Sequence, residues 1–502
     1  MTRTGCGMAG ALVGALVLLF FCAGILAGSA RAADSIYWVT VEGGTISRAP
    51  LAGGGATSLP IGTPGQLAPT GVAVDAAAGR IYWADFTAKT INYANLDGSG
   101  VRQLNTSGAA IHAPVGLSLD ARGGRIYWAD SEPEAPEASG ESMSINYANL
   151  DGSGGGTVDT TGATIDAPEG LAVYPAAGRI YWANTAADKI SFANLAGGGG
   201  GDLPISGASV AAPLGVAIDA SAQRIYWSNF GDTDSIEFAS LASGAGGRFL
   251  QSTETSDPLG VALDLTAGRL YWGQVDPLAV RSANLADASG VAPLDVTGLD
   301  PTFPAFLPVL FKAPLSVKGP VASGGARPGS TLTCSGAEWA PDAPEAQLYR
   351  VAQSVTYQWL RDGKAVAGAT GPTFPGAQVG SYACRAVATN GAGSTTSATS
   401  NAVTVRANLK LKRARLNPKK GTATLTLSVD GAGAIVAGGK GVLKAKKLAA
   451  RAGTYKLTVG ASGKAKRKLR ASGKARVKVQ VAFTPLGGKA LKQTKTIVLE
   501  QR

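Results

Sequence analysis

"AGRIYWAD", residues 78–85, returns forty-five residues later as "GGRIYWAD" (123–130). It recurs as "AGRIYWAN" (177–184), "AQRIYWSN" (222–229) and "AGRLYWGQ" (267–274), with a shortened "DSIYWVT" at 34–40. Ile or Leu precedes Tyr-Trp at 36, 81, 126, 180, 225 and 270, at spacings of 45, 45, 54, 45 and 45 residues. A fixed period in this range marks a propeller or a solenoid, each unit being one supersecondary element. Large aromatics repeated at one position read as core wedges rather than a ligand cage.

Within a unit the order is constant. "PTGVAVD" (69–75) alternates, "RIYWAD" follows a Gly-containing turn, and "TINYANLDGSG" and "VRQLN" complete four short strands, the content of a propeller blade. Asp97-Gly98 and Asp151-Gly152 fall between third and fourth strands, where a tight hairpin needs φ > 0. The ends decide between an array and a ring. The chain enters at "SIYW" with no first strand before it, and "PTFPAFLPV" (301–309) is a first strand with no IYW after it. Pairing the two closes a six-bladed ring and removes both exposed sheet edges.

The pattern "PxGxAxD…RIYWAD…INYANLDGSG" resembles the low-density lipoprotein receptor class B repeat, the YWTD propeller, over residues 35 to 309. The resemblance implies that Tyr82 and Trp83, Tyr127 and Trp128, Tyr181 and Trp182, Tyr226 and Trp227, and Tyr271 and Trp272 pack between blades. It also implies that Asp85 and Asp130 hydrogen-bond across them. Asn184 and Asn229 depart mildly from that Asp, and Thr40 and Gln274 depart more, which puts inter-blade bonding in the first and sixth blades in question. Propellers of that family bind protein ligands on the end carrying the second-to-third-strand loops.

A chain of 502 residues is too long for one ordinary domain, and 69 Gly, 12 Phe and a single His mark a turn-dense β protein. Residues 1–32 read as a secretory signal: Arg3, the apolar "AGALVGALVLLFFCAGILAG" and small residues at Ala30 and Ala32. An uncleaved anchor is the alternative, because the run approaches spanning length. Cys6 and Cys22 leave with a cleaved signal, so Cys334 and Cys384 are expected to form one disulfide. Charge is split: residues 33–310 hold 12 Lys/Arg against 28 Asp/Glu, net −16, and residues 406–502 hold 25 against 2, net +23. The two parts face different partners.

Three domains are therefore expected after the signal: the propeller (33–310), a second domain (311–405) and a basic β-sandwich (406–502). In the second domain Cys334, Trp359 and Cys384, with Tyr382 two before the last Cys, have the order of an immunoglobulin-type sandwich. In "RVKVQV", Val477, Val479 and Val481 face one side while Arg476, Lys478 and Gln480 face the other, so the charge is first a solvated sheet face. Beyond that, "KAKRKLR" (464–470) suits an anionic cell-wall or surface polymer. No aromatic interleaves the run, so nucleic acid is disfavoured. Docking on the chain's own acidic propeller is a further option.

Chemistry is weakly supported. His112 is the only histidine and sits in a loop, no free thiol remains in the mature chain, and G-x-S-x-G is absent, which removes the usual nucleophile–base pairs. In a ring, Thr70, Val115, Glu169, Leu214, Leu259 and Thr302 stand near the axis at one end. One carboxylate there does not make a calcium site. No catalytic residue, metal or cofactor is expected. Loops on that end carry Glu132, Glu134, Glu137 and Glu141 in the expanded third blade and Asp232 and Asp234 in the fifth. With Glu169 these are the candidate binding residues, since loops on a rigid scaffold commonly carry recognition. The sequence thus points to an all-β, secreted or cell-surface protein that binds a protein or glycan. Its alternatives are a propeller enzyme of lactonase or polysaccharide-lyase type and a purely structural envelope protein.

Overall fold

A computed structural model describes residues 34–502 except 41–42, 63–66, 132–142, 232, 252 and 297–304, and it leaves the side chains of 305–308 undescribed. The expected signal segment lies outside the described residues. No helix among them is long and apolar enough to cross a membrane.

The protein is all-β, and the IYW period builds a six-bladed propeller. Among the described residues, each of blades two to six is one antiparallel sheet of four strands in chain order, with inner strands Pro69–Asp75, Pro114–Asp120, Pro168–Tyr174, Pro213–Asp219 and Pro258–Asp264. Blade one takes its inner strand from the far end of the ring. Ala305–Phe311 pairs antiparallel with Ser35–Thr40, in a register that sets Ser35 opposite Phe311, Ile36 opposite Leu310 and Tyr37 opposite Val309. The closing strand ends two residues beyond the segment expected from sequence.

Successive residues of a strand point to opposite faces, so each Tyr-Trp pair serves two interfaces. The Tyr of one blade shares a core with the Trp of the next: Tyr37 with Trp83, Tyr82 with Trp128, Tyr127 with Trp182, Tyr181 with Trp227, Tyr226 with Trp272, and Tyr271 with Trp38. The last pair lies across the closing seam. All six Trp side chains are buried.

The "PxG" of the inner strands is also explained. A Cβ on Gly71 would stand 2.7 Å from the Gly116 carbonyl carbon, and one on Gly215 would stand 2.5 Å from the Cα of Gly260. Neighbouring inner strands approach so closely around the channel that only hydrogen fits. Gly98 and Gly152 adopt φ of 83° and 80°, as the Asp-Gly turns require.

After the ring come two sandwiches. Cys334, on the strand Leu332–Ser335, and Cys384, on Gly380–Asn390, join the two sheets of the second domain with Cα atoms 6.2 Å apart. Trp359 is buried beside them, and the Tyr382 hydroxyl accepts a hydrogen bond from the Gln378 N–H at 3.0 Å. The third domain packs Leu409–Asn417, Thr422–Val429 and Gly453–Gly460 against a four-stranded sheet of Val442–Ala449, Gly433–Gly439, Lys474–Pro485 and Leu491–Glu500. "KAKRKLR" lies in an α-helix, Gly463–Ser472, where sequence periodicity suggested none. Its one buried residue is Leu469, and Gly473 ends it in the left-handed conformation.

Gly215→Ala is expected to destabilise the protein by about 2 kcal/mol or more, because backbone rather than a flexible side chain must move. Gly363→Ala, whose Cβ meets nothing within 4 Å, carries only the cost of its φ of 79°. Thermal unfolding of both variants checks the difference, and equal losses would remove the close-approach explanation.

Candidate functional site

Because all inner strands run the same way, the channel has two unlike ends. The lower end, where inner strands finish, is filled by the chain itself. Residues 340–350 of the second domain enter the channel, make a 3₁₀ turn at Pro344–Ala346 and lay Leu348–Tyr349 parallel to Leu310 and Phe311 of the closing strand. Ala346, Leu348 and Tyr349 are fully buried, and Ala343 nearly so. The Gln347 side-chain amide donates to Leu171 O at 3.0 Å, Leu310 N–H donates to Gln347 O at 2.8 Å, and Leu119 N–H donates to the Tyr349 hydroxyl at 3.3 Å. Arg350 Nη1 reaches Thr266 Oγ1 at 2.9 Å, and Asn390 Nδ2 donates to Lys312 O at 2.8 Å. Small Ala and Pro side chains suit a narrow channel that tolerates no voids.

Two carboxyl groups enter with this plug. Burial lifts Asp342 to about 6, although its Oδ1 accepts N–H bonds from Arg350 (2.5 Å) and Val351 (2.9 Å). Burial lifts Glu345 to about 7, with Asp120 and Asp342 adding to the rise and Arg350 opposing it. Asp75 pushes Asp342 the same way. Burial in turn lowers the Arg350 guanidinium and raises the Tyr349 phenol. Nearby, Lys312 bridges Asp264 at 2.5 Å and Asp34 at 3.6 Å.

The upper end holds the loops expected to bind. Thr70 is buried and donates to Pro114 O at 2.6 Å, Val115 and Leu259 are buried, and Leu214 and Glu169 are half-buried. Glu169 Oε1 accepts a bond from Ser131 Oγ at 3.4 Å, which puts the start of the third-blade loop beside it. Asp234 is half-buried, and Asp257 is raised by burial and by the charges of Asp234 and Asp276. Glu132, Glu134, Glu137, Glu141, Asp232 and Thr302 lie outside the described residues. Asp257 and Asp276 were missed from sequence. Asp257 was visible as the one Asp where blades two to five carry Ala before the inner-strand Pro.

The closing Asp or Asn of the IYW strands organises this end. Asp130 accepts N–H bonds from His112 and Ala113, Asn184 from Asp166, and Asn229 from Ala211. Each acceptor ties down the segment crossing from the preceding blade. Trp182 and Trp227 Nε1 each donate at 3.1 Å both to a backbone carbonyl, Thr164 O or Ser209 O, and to Asn184 or Asn229 Oδ1, while Trp83 and Trp128 Nε1 find no partner among the described residues. Gln274 departs, as expected, and instead holds its own loop through Asp276 O and Pro277 O. His112, read as a solvated loop residue, is half-buried with Nδ1 3.3 Å from Asp130 Oδ2.

Sequence reading also missed an arginine ladder. Arg80, Arg125, Arg179 and Arg224 stack over Tyr93, Tyr147, Phe192 and Phe238 at 4.9, 4.3, 4.5 and 4.8 Å. In blade six Ser282 replaces the ring, and Arg269 bonds Ser282 Oγ and Asn284 Oδ1 instead. These cations are structural.

On the lower rim, a cleft of about 640 Å³ between blades two and three is lined by Asp75, Arg80, Asn149 and Asp151. Asp75 and Asp151 there cap the backbone turns at Ala78 and Ser153. Among the described residues no group of three or more His, Cys, Asp or Glu is placed to hold a metal.

No family model and no curated protein matches the chain. Similar solved structures include a chain of a nidogen–laminin complex, 20% identical, covering 55% of this chain and 98% of that one with a TM-score of 0.45. Another is a gluconolactonase from Xanthomonas campestris, 17% identical, covering 49% and 84% with a TM-score of 0.35. The six-bladed assignment stands on the strand pairing above.

Carboxyls whose pKa is raised in the docked plug stabilise it fully below their unfolded values near 4, and that contribution is lost as pH rises through about 6 and 7. Stability is therefore expected to fall between about pH 4 and 7, by on the order of 2 kcal/mol for each carboxyl. Asp342→Asn with Glu345→Gln should flatten that fall in calorimetric Tm profiles. An unchanged slope would show that the plug carboxyls do not titrate there.

Proposed function

We propose that this protein is an exported or cell-surface binding protein whose propeller recognises a protein or glycan through its upper face. The second domain is its base, and the basic third domain its means of retention at a surface. The observation that carries this reading is the asymmetry of the channel: residues 340–350 fill the lower end, and the recognition loops stand at the other. A ring sealed at one end by its own chain is a one-faced platform.

The reading of the second domain as immunoglobulin-like is supported by its inter-sheet disulfide, the buried Trp359 and the Tyr382 hydroxyl contact. Export is supported by the apolar run in residues 1–32 and by that disulfide. A binder rather than an enzyme is supported by the state of the one histidine, held against an aspartate whose oxygens already accept backbone N–H groups. The ligand face is acidic around blades four to six, through Glu169, Asp234, Asp257 and Asp276. A cation-bearing protein surface or amino-sugar glycan complements it.

The full chain, screened on protein and glycan arrays, is expected to capture a ligand that the variant Asp234→Lys, Asp257→Lys, Asp276→Lys binds at least tenfold more weakly. Asp151→Lys, on the lower rim, should leave binding within about twofold. Loss through Asp151→Lys, with the upper-face variant unaffected, would place the binding surface on the wrong end.

A further inference from the structure

We infer that the outer face of the four-stranded sheet in the third domain is a binding trough for a linear anionic glycan. This deepens the retention reading above and rests on it. Register places Lys446, Val436, Ala482 and Lys492 side by side across the four strands. The neighbouring row runs from Lys444 through Gly438 and Gln480 to Thr494. Small residues thus form the floor, and lysines stand on both edge strands. Val436, Gly438, Lys444, Gln480 and Ala482 line a recess of about 350 Å³ there. Lys478 and Arg476 continue the charge along the strand beside it, opposite Thr496 and Val498.

Three observations make this a site rather than a solvated face. First, the cations are uncompensated. Lys444, Lys446, Arg476, Lys478 and Lys492 are exposed and make no ion pair among the described residues. The domain's two acids are engaged elsewhere, Glu500 with Lys474 at 3.3 Å and Asp430 with the Asn408 N–H. Like charges gathered without counterions oppose folding unless a partner supplies them. Second, the spacing is periodic. Lys444 and Lys446, and Arg476 and Lys478, stand about 7 Å apart along their strands, and Lys446 and Lys492 are three strand spacings, about 14 Å, from each other. That geometry admits one extended chain bearing anionic groups at regular intervals. Third, the floor suits sugars and not bases. It presents amide and hydroxyl groups from Gln480, Thr494 and Thr496 and no outward aromatic on which a base stacks.

The helix Gly463–Ser472 supplies the internal comparison. It carries Lys464, Lys466, Arg467, Lys468 and Arg470 on a convex, exposed helical surface, and its Ala465 packs at Gly441, beyond the end of the trough. Field alone would make the two clusters equivalent, whereas a trough makes the sheet dominant.

The full chain is tested against polygalacturonate, a single-stranded oligonucleotide of equal charge and anionic phospholipid vesicles at fixed ionic strength. Polygalacturonate is expected to bind tightest. Lys444→Gln, Lys446→Gln, Lys492→Gln together should weaken it at least tenfold, and Lys464→Gln, Lys466→Gln, Lys468→Gln should weaken it less than threefold. All six positions are exposed, and unchanged Tm values would show that the fold is kept. Equal loss from both triple variants, or greater loss from the helix, overturns the trough while leaving glycan retention intact. Tighter binding of oligonucleotide or vesicles overturns the glycan assignment, and absence of polygalacturonate binding overturns the trough and the retention reading together.

Discussion

The structure depends on one antiparallel pairing between segments some 270 residues apart in sequence: Ser35–Thr40 against Ala305–Phe311. Bringing such distant segments together costs roughly 5 kcal/mol of chain entropy plus a constant, since the dependence on length is logarithmic. The seam offsets it by burying Tyr37, Trp38, Val309 and Phe311, each worth about 2 kcal/mol. The wedge geometry then propagates. A blade that gives its Tyr to one neighbour and its Trp to the other is satisfied only with neighbours on both sides. The ring is therefore the arrangement in which no Tyr-Trp face is left wet.

The repeat explains where the sequence was legible and where it was not. The wedge residues were readable because they recur at a fixed period, and ring size and closing partner because the unmatched strands at the two ends complete one another. The disulfide was readable because two cysteines leave one pairing. The plug was not. "APDAPEAQLYR" (340–350) has neither strand alternation nor helical spacing, and its burial is imposed by a channel built from residues far away in sequence. The helix at Gly463–Ser472 escaped for a similar reason: one Leu among cations produces no apolar stripe, and Leu469 is held by tertiary packing near Gly421. Departures from the repeat carried more than they first suggested. Asn184 and Asn229 share an indole N–H with a backbone carbonyl, and Asp for Ala at 257 adds a charge to the upper face.

Ring closure and the second domain are coupled by the same strand. Leu310 and Phe311 pair outward with Ser35 and Ile36 and inward with Leu348 and Tyr349, so the end of the closing strand is paired on both sides. Lys312, next in sequence, adds ion pairs to Asp264 of blade six and Asp34 of blade one, across the seam. Withdrawing the plug would expose, in the channel, the edge of the closing strand at Leu310 and Phe311, where the ring is latched. Residues 32–502 accordingly form one compact unit.

That coupling bears on the two opposed charge fields. An acidic ring and a basic sandwich in one chain would neutralise each other if laid together. Among the described residues, no ion pair joins residues 406–502 to the blades. The third domain instead meets the second, through Arg361 Nη2 on Gly487 O at 2.9 Å and Pro328 beside Gly431. Self-docking on the propeller, one of the options raised by the sequence, is therefore not the arrangement observed. The second domain lies between them, its plug fixed to the blades and its far contacts to the basic sandwich, so the two fields are not paired with each other. A protein that needed only to hold its own shape would gain stability by pairing the two. Keeping them apart forgoes that stability, which is the physical argument that favours the binding reading proposed above over a purely structural one.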